Sequence, residues 1–151
     1  MSQRKYPAVF MRGGTSKGIM FHARDLPAAR GEWDAIFLSA MGSPDPSGRQ
    51  LDGMGGGISS LSKVCVIAPS QRGDADVDYT FAQVQVKEAR VDYGANCGNM
   101  SSAVGPFCSW ARLACAPSSC PWAAERADSA CCTSSAVGPR FICATVALAA
   151  S

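Results

Sequence analysis

The chain has a single histidine, His22, and none of its eight cysteines forms a Cys-x-x-Cys pair. A structural zinc site wants four ligands, usually in close pairs, so the pattern argues against a metal. Net charge is also scarce: 14 basic and 12 acidic side chains leave +2. Nucleic-acid surfaces need clustered Lys and Arg, so no nucleic-acid partner is expected. Long apolar runs are missing as well. The most apolar stretch near the end, Phe141 to Ala150, is about half the length that a membrane span needs, and no membrane partner is expected. The opening residues, MSQRKYPAVFMRGG, lack the apolar core and small-residue cleavage site of a secretory leader. The expected location is therefore the cytoplasm, where a disulfide scaffold is disfavoured.

What is present is distributed unevenly. Residues 1–107 carry 11 of the 14 basic residues, 10 of the 12 acidic ones and 14 of the 15 glycines. Residues 108–151 carry no lysine, one glycine, six cysteines and abundant Ala and Ser. Neither strand alternation nor a helical stripe stands out in this tail. Its composition matches a shifted reading frame of GC-rich DNA, the alternative being a genuine Cys-rich tail. Residues 1–107 are thus expected to form a folded unit, and 108–151 an atypical, frameshifted or disordered tail. The hexapeptide Ser101–Pro106 recurs as Ser134–Pro139, but nothing around it repeats, so no solenoid follows.

The front part alternates apolar runs with turn signals. Tyr6–Met11 and Ile19–Ala23 read as strands joined by the turn Arg12–Gly18, a hairpin. A helix is expected from about Gly31 to Met41, with Trp33, Ile36, Phe37 and Ala40 on one face and Gly42 as its stop. A long loop over 43–57 follows, of a length that is usually functional. Lys63–Ile67 reads as a buried strand, Val77–Val86 as another and Ala89–Tyr93 as a shorter one. A helix start is expected after Asn96. The fold class is α+β, or mixed α/β.

Three segments can carry chemistry. In Asn96-Cys97-Gly98-Asn99-Met100-Ser101, glycine permits close backbone approach. A helix beginning here would offer free N–H groups to a carboxylate and favour a Cys97 thiolate. The alternative is a buried structural cysteine. In Gly55–Lys63, consecutive glycines and serines expose donors to an anion. Lys63, at the mouth of an apolar strand, could exchange a proton near neutral pH or simply be a solvated edge lysine. The segment is not a phosphate-binding P-loop. In Arg12–Gly18, Arg12 can grip a carboxylate in a two-point fork, or the segment is only a solvated turn. His22 reads as a satisfied, partly buried strand residue. Asp74, Asp76 and Asp78 read as a solvated strand entry, since no EF-hand pattern follows.

Taken together, MRGGTSKG, GSPDPSGRQLDGMGGGISSLSKV, DVDYTFAQVQV and NCGNMSSAVGPF resemble, in order and spacing over residues 6–107, the PrpF family. That family includes 2-methylaconitate cis-trans isomerase, 3-methylitaconate isomerase and 4-oxalomesaconate tautomerase. The resemblance implies a diaminopimelate epimerase-like fold: two related domains, each a long helix cradled by strands, with the active site in the cleft between them. It implies a cofactor-independent isomerase that moves a proton on a small di- or tricarboxylic acid. Cys97 would be the catalytic cysteine and Lys63 its partner. Asn96, Gly98 and Asn99 would bind a substrate carboxylate. Arg12, Gly13, Thr15 and Ser16 would lie near the same cleft. Neither metal nor organic cofactor is implied. Family members are much longer, so this chain reads as an N-terminal fragment with the second domain missing, and as inactive by itself. Two rival readings are a non-catalytic truncated product with weak carboxylate binding and a two-base racemase or epimerase on the same fold.

Overall fold

The computed structural model describes residues 3–110 and 142–149. One mixed sheet forms its centre, built from β1 (Gln3–Gly13), β2 (Ser16–His22), β3 (Lys63–Pro69), β4 (Val77–Val84), β5 (Val91–Asp92) and β6 (Ile142–Ala149). The strand order is β5-β4-β3-β2-β1-β6. Only β2 and β3 run parallel; the other neighbours are antiparallel. A parallel pair needs a crossover, and helix α1 (Trp33–Met41) supplies it. Helices α2 (Gly98–Ser101) and α3 (Val104–Trp110) follow β5. The class is α+β, as expected. Among the described residues no helix is long and apolar enough to cross a membrane.

Period-two alternation sorts the strand residues onto two faces. Tyr6, Ala8, Ile19, Phe21, Val64, Val66, Ala82 and Val84 bury one face against Trp33, Ile36, Phe37, Ala40 and Met41 of α1. Phe21 stacks on Phe37 with ring centroids 5.8 Å apart. The opposite face carries Val9, Met11, Met20, Cys65, Ile67 and Phe81, covered by Met100 of α2, Phe107 of α3 and Ala103 from the turn between them.

The expected helix over 31–41 is shorter as an α-helix. A 3-10 turn over Arg30–Glu32 leads into Trp33–Met41. Gly42 ends it in the left-handed region (φ 73°), its N–H donating to the Leu38 and Ser39 carbonyls. The hairpin turn is tighter than the sequence suggests, because β2 begins at Ser16 and only Gly14 and Thr15 lie between the strands.

The tail contributes one strand to the sheet. Ile142–Ala149 forms a strand that pairs antiparallel with β1, from Gln3 opposite Ala149 to Phe10 opposite Ile142. ICATVALA is apolar at every position but Thr145, so period-two alternation does not reveal it. The free edge of β1 provides the partner that makes it a strand. Readings that concern residues 111–141 lie outside the described residues.

Candidate functional site

The three segments singled out in the sequence converge on the sheet face covered by α2 and α3. The β1–β2 hairpin brings up the first. A Cβ on Gly13 would run into the Asn99 carbonyl, and one on Gly14, whose φ is +51°, would run into the Asn99 side chain. Both positions therefore require glycine, Gly14 for its backbone as well. Asn99 Nδ2 donates to Thr15 Oγ1 at 3.0 Å, so the hairpin turn and the start of α2 are fastened together. Ser16 is buried at the end of the turn.

Lys63 is the first residue of β3, and its register partner on β2 is Gly18. Its side chain is 8% exposed. Nζ sits 5.1 Å from the centroid of the Phe81 ring and donates to Gln83 Oε1 at 2.6 Å. Gln83 Nε2 in turn donates to the carbonyls of Ser62 at 2.8 Å and Ser59 at 3.1 Å. Upstream, the loop over 43–57 is tied down by Gln50, 1% exposed and at positive φ (53°). Gln50 Nε2 donates to Ser43 Oγ and Ser62 Oγ, both at 2.8 Å, and its Oε1 accepts from the Gly57 N–H. Ser62 Oγ donates to the Val84 carbonyl at 2.9 Å. A buried polar chain thus fixes the backbone immediately before Lys63.

Cys97 is the N-cap of α2, with extended backbone (φ −126°, ψ 102°) and a half-buried side chain packed against the second core cluster. Its N–H donates to Asn96 Oδ1 at 2.8 Å. Its carbonyl accepts from the Ser101 N–H at 2.9 Å and Ser101 Oγ at 3.1 Å. The N–H groups of Gly98, Asn99 and Met100 precede that first helical bond and have no partner within the helix. Gly98 and Asn99 are exposed, and a Cβ on Gly98 would meet nothing within 4 Å.

Between the two candidates lies Cys65, fully buried on the same face. Burial pushes its thiol up to about 12; the Tyr79 hydroxyl, 3.6 Å from Sγ, acts in the opposite sense. Cys97 raises this thiol further and Lys63 lowers it, which places both within electrostatic reach of one sulfur. Tyr79 is raised by its own burial first, with Cys65 adding and Ser101 opposing.

Arg12 does not join this group. It is exposed, and alternation puts it with Phe10 and Lys17 on the α1 face, opposite Met11 and Gly13. Asp74 pairs with Arg72 on the exposed β3–β4 connection, and Asp78, at the start of β4, accepts from Ser70 Oγ. His22 is buried, its Nδ1 accepting from the Arg24 N–H at 3.1 Å. Among the described residues no three His, Cys, Asp or Glu side chains cluster as metal ligands. Gln83, Tyr79 and Gln50 were not singled out in the sequence. For Gln83 a signal exists: the alternation Val77, Tyr79, Phe81 extends to it and places it on the Lys63 face.

The family model described as PrpF protein matches residues 3–128. The chain belongs to the PrpF family. The match passes the compositional break near residue 107. The chain is 59% identical over 107 residues to 4-oxalomesaconate tautomerase of Pseudomonas putida, covering 71% of this chain and 29% of that protein. It is 50% identical over 112 residues to 2-methyl-aconitate isomerase of Cupriavidus necator, covering 70% and 28%. It is 52% identical over 105 residues to 3-methylitaconate isomerase of Eubacterium barkeri, covering 70% and 27%. The crystal structure of methylitaconate-delta-isomerase superposes with a TM-score of 0.70 at 48% identity, over 77% of this chain and 30% of that one. The chain thus spans less than a third of the length of these PrpF relatives, which are named as isomerases and a tautomerase.

Proposed function

We propose that this PrpF segment supplies the proton-transfer wall of a cofactor-independent isomerase acting on a small di- or tricarboxylate, of the 2-methylaconitate or 4-oxalomesaconate kind. The carrying observation is the convergence of Lys63, Cys97 and the first-turn N–H groups of α2 on one face of the sheet, fastened by the Asn99–Thr15 hydrogen bond.

An allylic isomerisation removes a proton beside a carboxylate-bearing double bond and returns one two carbons away. Removal builds negative charge on the conjugated carboxylate. The reaction needs a base, an acid and donors aimed at the developing enolate. Lys63 and Cys97 are the proton carriers in this reading. The N–H groups of Gly98 and Asn99 are the donors, and Asn96 fixes the Cys97 backbone. Gly13 and Thr15 hold the hairpin against this segment, and Ser16 is buried beside them at the end of the turn. Arg12 would reach a substrate carboxylate only from around the hairpin tip. Relatives named for oxalomesaconate, methylaconitate and methylitaconate support the substrate class.

A chimera tests the reading. Residues 3–107 would replace the matching part of the Pseudomonas putida tautomerase, whose 59% identity favours compatible packing. We expect the chimera, in deuterated water, to convert oxalomesaconate or methylaconitate and to introduce deuterium at the carbon that gains the proton. A folded chimera without turnover on any of these acids would contradict the proposal.

A further inference from the structure

The Lys63 amine meets an amide, not a carboxylate, and the surroundings of that amide dictate which way it faces. We propose that Gln83 is a positioning residue for Lys63, a locked neutral acceptor that holds the amine over Phe81 on the face that carries Cys97. The proposal rests on the reading of Lys63 as a proton carrier.

Lys63 and Gln83 stand directly opposite in the antiparallel β3–β4 register, so their side chains rise from the same face. The Gln83 NH2 group donates to two backbone carbonyls, those of Ser59 and Ser62. This leaves Oε1 for Lys63 Nζ, 2.6 Å away. A flipped amide would set NH2 against the ammonium and oxygen against two carbonyls, losing every bond at once. A carboxamide, with one acceptor and two donors, meets all three partners. Glutamate would accept from Lys63 but oppose both carbonyls, and its charge would hold the amine protonated. A hydrocarbon would take the acceptor from the amine and one of the two donors from each carbonyl, leaving Ser59 O the Ser62 N–H and Ser62 O the Val84 N–H. Because Ser59 and Ser62 belong to the segment leading into β3, the same amide ties the Gly-rich loop to the lysine it delivers.

The test reads Lys63 directly, without turnover. The purified chain is labelled with a limiting amine-reactive reagent at fixed near-neutral pH, and each lysine is quantified by mass spectrometry. Lys5, Lys17 and Lys87 serve as internal references. Gln83→Glu is expected to slow Lys63 labelling about tenfold relative to the references, the effect of a neighbouring carboxylate on an ammonium. Gln83→Leu is expected to speed it by roughly threefold or more, since an acceptor for the charged form is lost. A merely structural Gln83 would loosen the site in both variants and raise labelling in both. That shared direction, or no change in either, would overturn the proposal. In the unaltered chain, hydrogen exchange of the Gln83 side-chain NH2 should be about tenfold slower than that of exposed Gln71; equal rates would also overturn it. If Lys63 is not a proton carrier, Lys63→Ala kinetics in the chimera will say so while these labelling results stand, so the two readings fail separately.

Discussion

Cys65 shows how one residue reports on the candidate site without taking part in it. Its thiol is raised to about 12 by burial, from an ordinary value of 9.0. In the unfolded chain it loses its proton near the ordinary value, while in the folded chain it keeps it. Between about pH 9 and 12 the native state therefore binds more protons than the unfolded state, and stability falls as pH rises through that window. The slope approaches ~1.4 kcal/mol per pH unit for a single group. Cys65→Val removes the titration, so the alkaline loss of stability should be shallower in the variant than in the wild type, as measured by urea unfolding at intervals from pH 8 to 11. Equal slopes would show that the thiol is not held neutral. Asp45 works in the opposite direction. The Ser47 hydroxyl, together with the N–H groups of Gln50, Ser47 and Arg49, holds its carboxyl down at about 2. Its anchoring of the loop is complete above the ordinary carboxylate range and is lost as pH falls through about 2.

At the scale of elements, the hairpin and the Cys97 segment depend on a close approach that only glycine allows. Gly13→Ala should cost about 1–3 kcal/mol, since the Asn99 backbone cannot yield as a flexible side chain would. It should also raise the rate of Cys97 alkylation by a neutral thiol reagent, because the start of α2 is pushed off the hairpin. Chemical denaturation and timed alkylation check the two effects. Helix α1 is held instead by apolar packing. Phe37 is fully buried against Phe21 and Trp33, and Phe37→Ala should cost about 3–5 kcal/mol in urea unfolding.

These elements differ in how far the sequence announces them. The hairpin, α1, β3 and β4 follow from period and turn residues. Gly42 ends α1 as its position suggests. Register is less accessible. Nothing local tells that Gly18 lies beside Lys63, or that Gln83 stands opposite it, because both facts depend on strand pairing across distant segments. Arg12 illustrates the same gap: the motif places it next to Gly13, but alternation turns its side chain to the other face. The Gln50–Ser62 chain was invisible for a different reason, since a polar residue in a Gly-rich loop gives no sign that it is buried.

For the whole molecule, the Lys63 and Cys97 face is covered, among the described residues, by the α2–α3 segment. Cleavage or formation of a C–H bond through an enolate needs donors and exclusion of water around the substrate. The described residues offer only one such surface, and the PrpF relatives have more than three times the matched length to build on. The 151-residue chain alone is therefore expected to show no enzyme-like turnover of oxalomesaconate, methylaconitate or methylitaconate when followed by the ultraviolet change of the shifting double bond. Clear catalysis would mean that a single wall suffices. The chimera joins after Phe107, where the composition of the chain changes.

The measurement that bears most directly on the central claim is steady-state kinetics of that chimera with Lys63→Ala and Cys97→Ala, corrected for the folded fraction. A proton carrier contributes mainly in the transition state, so its loss lowers kcat more than it raises KM. We predict that each variant loses about a hundredfold or more in kcat while keeping its fold. A near-normal kcat in both folded variants, with any loss confined to stability, would contradict the assignment of Lys63 and Cys97 as the proton carriers.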